Sequence, residues 1–168
     1  MRIIVGSDVN TTLTDAIVGW LEQHGRQVER LGPLAGEPLD WPEVGEQVAQ
    51  GVVSGFAEDG IVCCWTGTGV AMAANKVPGI RAALCHDAET ARGARRWDHA
   101  NVLVLSLRST SIPIAQEILE AWFATPYDPA EADVVAKLTH LDQKYRRRPR
   151  TADWLDEDLK PSPRTRLE

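Results

Sequence analysis

Five short apolar runs alternate along the chain with longer stretches of helical periodicity, and this alternation restricts the fold more than any other feature of the sequence. The runs are Ile3 to Val5, Val28 to Leu31, Gly60 to Cys64, Ile80 to Leu84 and Val102 to Leu105, bounded by Gly, Asp or Asn. Short apolar runs of this kind are expected of strands buried on both faces. Between them, Thr11 to His24 carries Leu13, Ile17, Trp20 and Leu21 at helical spacing, with Thr12 expected as N-cap and Gly25 as the stop. Pro42 to Val53 spaces Val44, Val48 and Val52 by four, and Asp87 to Arg96 and Ser111 to Ala124 complete the set. The alternation predicts an α/β fold, a mostly parallel sheet with helices on both faces.

At 168 residues the chain is about one domain long, and 43% hydrophobic with 25% charged residues argues against disorder. Acidic residues outnumber basic ones, 24 to 18, so the net charge of -6 gives no general attraction to nucleic acid or to an anionic membrane. An anionic ligand must therefore meet a local positive site. The opening MRIIVGSD has no long apolar core, and no run approaches the length of a membrane span, so a cytoplasmic protein is expected. Cys63, Cys64 and Cys85 are odd in number, lie in apolar surroundings and form no CxxC pair, which suits a reducing compartment and no structural metal. From Lys144 the sequence becomes polar, charged and rich in proline. Residues 1–143 are read as the α/β domain and 144–168 as a charged C-terminal tail, whose acidic flanks speak against nucleic-acid contact.

Ligands of such a sheet bind outside the carboxyl ends of its strands. Those ends are Ser7-Asp8, Cys64 to Gly69 and Ser106 to Arg108. The richest is C-W-T-G-T-G, Cys64 to Gly69, which leads into a short helix over Val70 to Lys76. Gly67 and Gly69 let main-chain N–H groups approach a ligand closely, a geometry that suits an anion such as an enediolate or a phosphate. Cys63 and Cys64 point to opposite faces of a regular strand, and Cys63 reads as core. A buried strand cysteine is commonly just a small hydrophobe, so spacing alone leaves Cys64 open between packing and catalysis. The third small residue of a dinucleotide-binding G-x-G-x-x-G and the lysine of a P-loop are both missing, and nucleotide binding is set aside.

The segment C-x-T-G-x-G followed by A-A-N-K-V-P-G-I-R-A-A-L-C, Cys64 to Cys85, resembles the ribose-5-phosphate isomerase B and galactose-6-phosphate isomerase family. G-S-D at 6–8, L-D-W-P at 39–42, A-N-V-L at 100–103 and Arg108 fall in the order of that family, and the resemblance covers roughly residues 2 to 125. It implies a Rossmann-like three-layer α/β/α sandwich with a five-stranded parallel sheet. It also implies metal- and cofactor-free interconversion of aldose and ketose sugars or sugar phosphates, in a homodimer or homotetramer whose active sites are shared between subunits. Cys64 is implied as the base that takes the proton beside the carbonyl, with Thr66 on a substrate oxygen or the transferring proton. Gly67, Thr68 and Gly69 are implied to hold the enediolate oxygen, and Asp8 the sugar hydroxyls. Asn75, Asp98, His99, Asn101 and Arg108 match further substrate-binding positions, with a structural role as open for the two asparagines as a binding one.

Three departures stand out. Val9 occupies the histidine position of the family's G-S-D-H, and Trp97, in R-R-W-D-H-A-N, the position of its ring-opening histidine. His99 lies two residues further on and reads more readily as a structural histidine. In place of the arginine pair that clamps the phosphate stand Ala130, Asp133 and Val134, leaving Arg108 and the tail arginines Arg146 to Arg148 as replacements. Trp97 and Trp122 are expected either at subunit contacts or in the core. The leading function is an aldose–ketose isomerase; the alternatives are a non-catalytic or complementary subunit of a two-chain assembly and a sugar-binding descendant. Retention of Cys64, Thr66 and both glycines favours chemistry, and the lost histidines and arginines favour the partner subunit.

Overall fold

The computed structural model describes residues 1–146; the tail arginines Arg147 and Arg148 and the rest of 147–168 lie outside the described residues. Five strands, β1 (Arg2–Ser7), β2 (Gln27–Leu31), β3 (Asp59–Cys64), β4 (Ala82–Leu84) and β5 (Val102–Ser106), form one sheet in the order β2-β1-β3-β5-β4. Every neighbouring pair is parallel. The helices are α1 (Thr12–Gln23), α2 (Trp41–Val53), α3 (Thr68–Ala74), α4 (Ala88–Arg96), α5 (Ile112–Ala124) and α6 (Ala132–Arg146).

Alternation along the central strands sorts the core into two layers. Ile61 and Cys63 of β3 and Leu103 and Leu105 of β5 pack under α1, α4 and α5, against Leu13, Ile17, Leu21, Ala91, Ile118 and Trp122. Val62 and Cys64, with Val102 and Val104, pack under α2 and α3 against Val48, Ala49, Val70 and Ala74. Each large aliphatic side chain so buried stabilises the fold by roughly 1.5–3 kcal/mol. The result is the three-layer α/β/α sandwich expected from the sequence. Trp122 is fully buried in the first layer, so it belongs to the core and needs no cover from another subunit.

Burial on both faces holds for β1, β3 and β5 but not for the two edge strands. β2 alternates exposed and half-buried residues and β4 is half-buried throughout. An edge strand lacks a neighbour on one side, and β2 meets solvent with Glu29 and Arg30, the latter paired with Glu22 at 2.7 Å. β4 is also shorter than its apolar run, because Ile80 and Arg81 belong to the preceding turn.

Helix starts follow capping chemistry. The N-cap of α1 is Thr11 rather than Thr12: its hydroxyl accepts the Thr14 amide at 3.2 Å, while Thr14 Oγ1 accepts the Thr11 amide at 2.8 Å. Asp87 caps α4 by accepting the Thr90 amide at 2.7 Å. α3 starts two residues earlier than the sequence suggests. α6, which was not anticipated, runs through the 143/144 boundary and carries Val134, Leu138, Leu141 and Tyr145 exposed along one side. No helix among the described residues is long and apolar enough to cross a membrane.

Candidate active site

The strand order reverses between β1 and β3, since the chain leaves β1 for β2 on one side and β3 lies on the other. In a parallel α/β sheet the crevice beyond the carboxyl ends at such a switch point is the natural ligand site. Asp8 follows β1 there and Cys64 ends β3. Cys64 pairs in register with Ser106 at the end of β5, which brings Ser106 to Arg108 to the same edge.

The loop after Cys64 is held by its main chain. The Cys64 carbonyl accepts the amides of Gly67 at 3.2 Å and Leu107 at 3.0 Å. The Trp65 carbonyl accepts the Arg108 amide at 2.9 Å and the Ser106 hydroxyl at 3.1 Å. Gly67 then turns with φ of +76°, where a Cβ would also fall 2.5 Å from Leu84 Cδ1, so both conformation and space require glycine. Gly69 lies under the Trp41 ring, which a Cβ would approach to 3.0 Å. The first intrahelical acceptor is the Gly67 carbonyl, taken by Ala71 at 3.1 Å, so the amides of Thr68, Gly69 and Val70 have no partner within α3. Those donors border the strand end that carries Cys64. The Thr66 and Thr68 hydroxyls bond each other at 2.7 Å, and both residues are exposed.

Cys64 is only 5% exposed and lies at the top of the α2/α3 layer. Cys63 is wholly enclosed in the other layer, and burial pushes its thiol up to about 12. Cys85 is also buried and is pushed up to about 12 by the same cause. Neither thiol supplies a thiolate near neutral pH.

On the β1 side Asp8 lines a cleft of about 360 Å³ with Pro33, Pro38, Leu39, Asp40 and Glu43. Asp8 Oδ1 is buried with no hydrogen-bond partner. Burial raises its carboxyl above the usual range; its own main-chain amide opposes this, and the nearby Asp40 charge adds to it. Such a carboxylate is suited to accept from hydroxyl groups and opposed to a second anion. Arg108, across the crevice, is exposed and takes part in no ion pair among the described residues.

The remaining sequence candidates lie at the opposite edge of the same sheet. Asn101 precedes β5 and sits level with Asp59, roughly 16 Å from Cys64 at about 3.3 Å of rise per residue. Its side chain accepts the Arg81 amide at 2.8 Å and donates to the Gly79 carbonyl at 3.0 Å. Asn75 closes a two-bond clasp on Ala82, accepting its amide and donating to its carbonyl, both at 2.9 Å. His99 has φ of +50°, stacks on Tyr127 at 4.8 Å and has Nε2 2.8 Å from the Asp128 carbonyl oxygen. Asp98 and Trp97 line a groove of about 740 Å³ with Arg81, Leu138, Leu141 and Asp142. One chain therefore brings Asp8, Cys64, Thr66, Gly67, Thr68, Gly69 and Arg108 together and keeps Asn75, Asp98, His99 and Asn101 apart from them. Motif spacing singles out neither Trp41 nor Trp65, the two indoles at the loop. The available signal was a large apolar side chain inside a glycine turn.

The chain matches the Ribose/Galactose Isomerase family over residues 3–138. It is 35% identical over 128 residues to ribose-5-phosphate isomerase B of Escherichia coli, covering 76% of this chain and 86% of that protein. It is 34% identical over 131 residues to D-erythrulose-4-phosphate isomerase of Pectobacterium atrosepticum, with the same coverage of 76% and 86%. The solved structure of ribose-5-phosphate isomerase B from Clostridium thermocellum superposes with a TM-score of 0.81 at 37% identity, covering 86% of this chain and 99% of that one.

Proposed function

The chain belongs to the ribose/galactose isomerase family, and from that premise we propose that it is an aldose–ketose isomerase whose proton-transfer centre is Cys64. The observation that carries this is the position of Cys64: it ends the central strand β3 at the sheet's switch point, beside the unpartnered amides that open α3.

The Cys64 thiolate removes the proton from the carbon next to the carbonyl, and the electron pair moves into a cis-enediolate. Amides of the Gly67 to Gly69 turn stabilise the enediolate oxygen. The Thr66 hydroxyl, coupled to Thr68 at 2.7 Å, relays the proton between the two substrate oxygens. Cys64 then returns its proton to the neighbouring carbon, so no atom is gained or lost. Asp8 accepts from the sugar hydroxyls and Arg108 pairs with an anionic end, which makes sugar phosphates the substrate class.

The sheet is too deep for one chain to bring His99, Asp98 and Asn101 to Cys64. We infer a homodimer in which the amino edge of one protomer meets the carboxyl edge of its partner. The exposed side of α6 and the Trp97 groove beside it supply apolar area for such a contact. Three free, buried cysteines suit a reducing compartment, and we assign the enzyme to the cytoplasm.

Val9 and Trp97, where the family resemblance calls for histidines, favour a second reading, a subunit that completes the site of a related chain. Assay of the purified chain alone separates the two. Ribose 5-phosphate, erythrulose 4-phosphate, galactose 6-phosphate and the free sugars would be tested for isomerisation and for exchange of the proton beside the carbonyl with solvent. Turnover by the chain alone sustains the isomerase reading. Absence of both turnover and exchange across the panel overturns it.

A further inference from the structure

Among the described residues Trp65 is the most exposed large apolar side chain, at 62%, although it stands between the enclosed Cys64 and the loop hydroxyl of Thr66. Three other tryptophans have packing that explains them, and Trp97, 57% exposed, stands in the groove at the amino edge. Trp20 stacks on His24 at 3.8 Å, Trp122 lies under the Arg95 guanidinium at 4.8 Å, and Trp41 covers Gly69. The Trp65 indole takes part in no hydrogen bond or ring contact among the described residues, so the folded chain gains little from its being a tryptophan.

Its main chain, by contrast, is fixed on two sides. The carbonyl accepts both the Arg108 amide at 2.9 Å and the Ser106 hydroxyl at 3.1 Å. That holds the indole one residue from the base and at the same rim as Arg108, which has no ion-pair partner. A sugar whose carbonyl end reaches Cys64 must run its carbon chain past this rim to bring an anionic end to Arg108. A sugar chain carries C–H groups as well as hydroxyls, and an indole offers an apolar face together with one N–H donor.

Building on the isomerase reading, we propose that Trp65 is a substrate-binding residue of the Cys64 site, its indole forming the apolar wall against which the carbon chain of the sugar lies. The wall acts on ground state and transition state alike, because it touches no atom that changes charge. It therefore governs KM and leaves kcat nearly unchanged.

Steady-state kinetics of Trp65→Ala and Trp65→Phe, on whichever sugar phosphate of the panel the wild type turns over, tests this. Trp65→Ala is expected to raise KM about tenfold, with kcat within about threefold and the same sedimentation coefficient as wild type. Trp65→Phe, which keeps an aromatic face, is expected to recover most of the lost affinity. Binding gives an independent readout: the same sugar phosphate changes the tryptophan emission of the wild type more than that of Trp65→Phe, in which Trp41 remains at the loop. An unchanged KM in Trp65→Ala, a loss confined to kcat, dissociation of the assembly, or a Trp65→Phe variant as weak as Trp65→Ala overturns the inference while the isomerase reading stands. A wild type that shows neither turnover nor proton exchange with any member of the panel overturns both.

Discussion

Cys63 and Cys64 are adjacent in sequence and belong to different layers of the sandwich, Cys63 fully enclosed beneath α1 and α5 and Cys64 at the top of the α2/α3 layer, where its strand meets the Gly67 turn. The pleat of β3 is the cause, since successive side chains of a strand leave on opposite faces. Two thiols one residue apart thus face different layers of the molecule.

Cys64→Ala is expected to lower isomerisation and solvent exchange of the substrate proton by a factor of about 100 or more, because a general base is removed along with only a small apolar volume. Cys63→Ala is expected to keep wild-type rates with a modest packing cost. Proton exchange followed by NMR in both variants checks the pair; exchange at wild-type rate in Cys64→Ala would remove this residue from the mechanism.

Gly67→Ala is expected to destabilise the fold by at least about 1 kcal/mol and to abolish activity, since the new Cβ meets an unfavourable φ of +76° as well as Leu84. Urea unfolding and the isomerase assay measure the two effects separately. Wild-type stability in this variant would mean that the turn adopts another conformation.

On the function proposed above, Arg108 meets the phosphate without the arginine pair that the family resemblance implies. Ala130 caps nothing and only donates its amide to Asp128, while Asp133 and Val134 are exposed at the start of α6. Phosphorylated sugars are therefore expected to bind more weakly than a two-arginine clamp would hold them. Arg108→Ala is expected to cost about 1.5–3 kcal/mol with the phosphorylated sugar, roughly ten- to a hundredfold in affinity, and little with the free sugar. Titration calorimetry of matched sugars decides it, and equal losses on both would assign the phosphate elsewhere.

At the amino edge Asp59 is buried against Arg95 at 2.9 Å, beside the Trp122 side chain. Burial pushes its carboxyl up to about 6, and Arg95 holds back part of that rise. The folded state therefore keeps the proton at a pH where the unfolded chain has released it. This stabilisation is fully present below the unfolded carboxylate range and is lost as pH rises through about 6. The stability of the wild type relative to Asp59→Asn is expected to fall between about pH 4 and pH 6 and to level off above. Denaturation midpoints at several pH values give this difference; a rise with pH would contradict the assignment.

If the site is shared between protomers, Leu138→Glu on the exposed side of α6 should dissociate the assembly and lower activity together. Analytical ultracentrifugation at micromolar concentration measures the first. A wild type that is active as a monomer would rule out the shared site.

What the sequence determined by itself is whatever a local pattern encodes. The period of burial assigned β1, β3 and β5, the helical spacing assigned α1, α2, α4 and α5, and the glycines of Cys64 to Gly69 marked a tight turn at a strand end, because each of these is set within a few residues. The tertiary structure decided everything that depends on distant partners. Which strands are edges follows from the order β2-β1-β3-β5-β4, and so Val28 to Leu31 is half exposed although its run is apolar at both ends. Asn75 and Asn101 have side chains equally able to bind a ligand or a main chain; in the folded chain they hold Ala82, Arg81 and Gly79, in and beside the turn before β4. The charge of Asp59 is met by Arg95, 36 residues away, through the docking of α4 beside β3. Local spacing specifies which faces a segment buries, whereas hydrogen-bond and charge partners are chosen by the packing of segments that the sequence holds far apart.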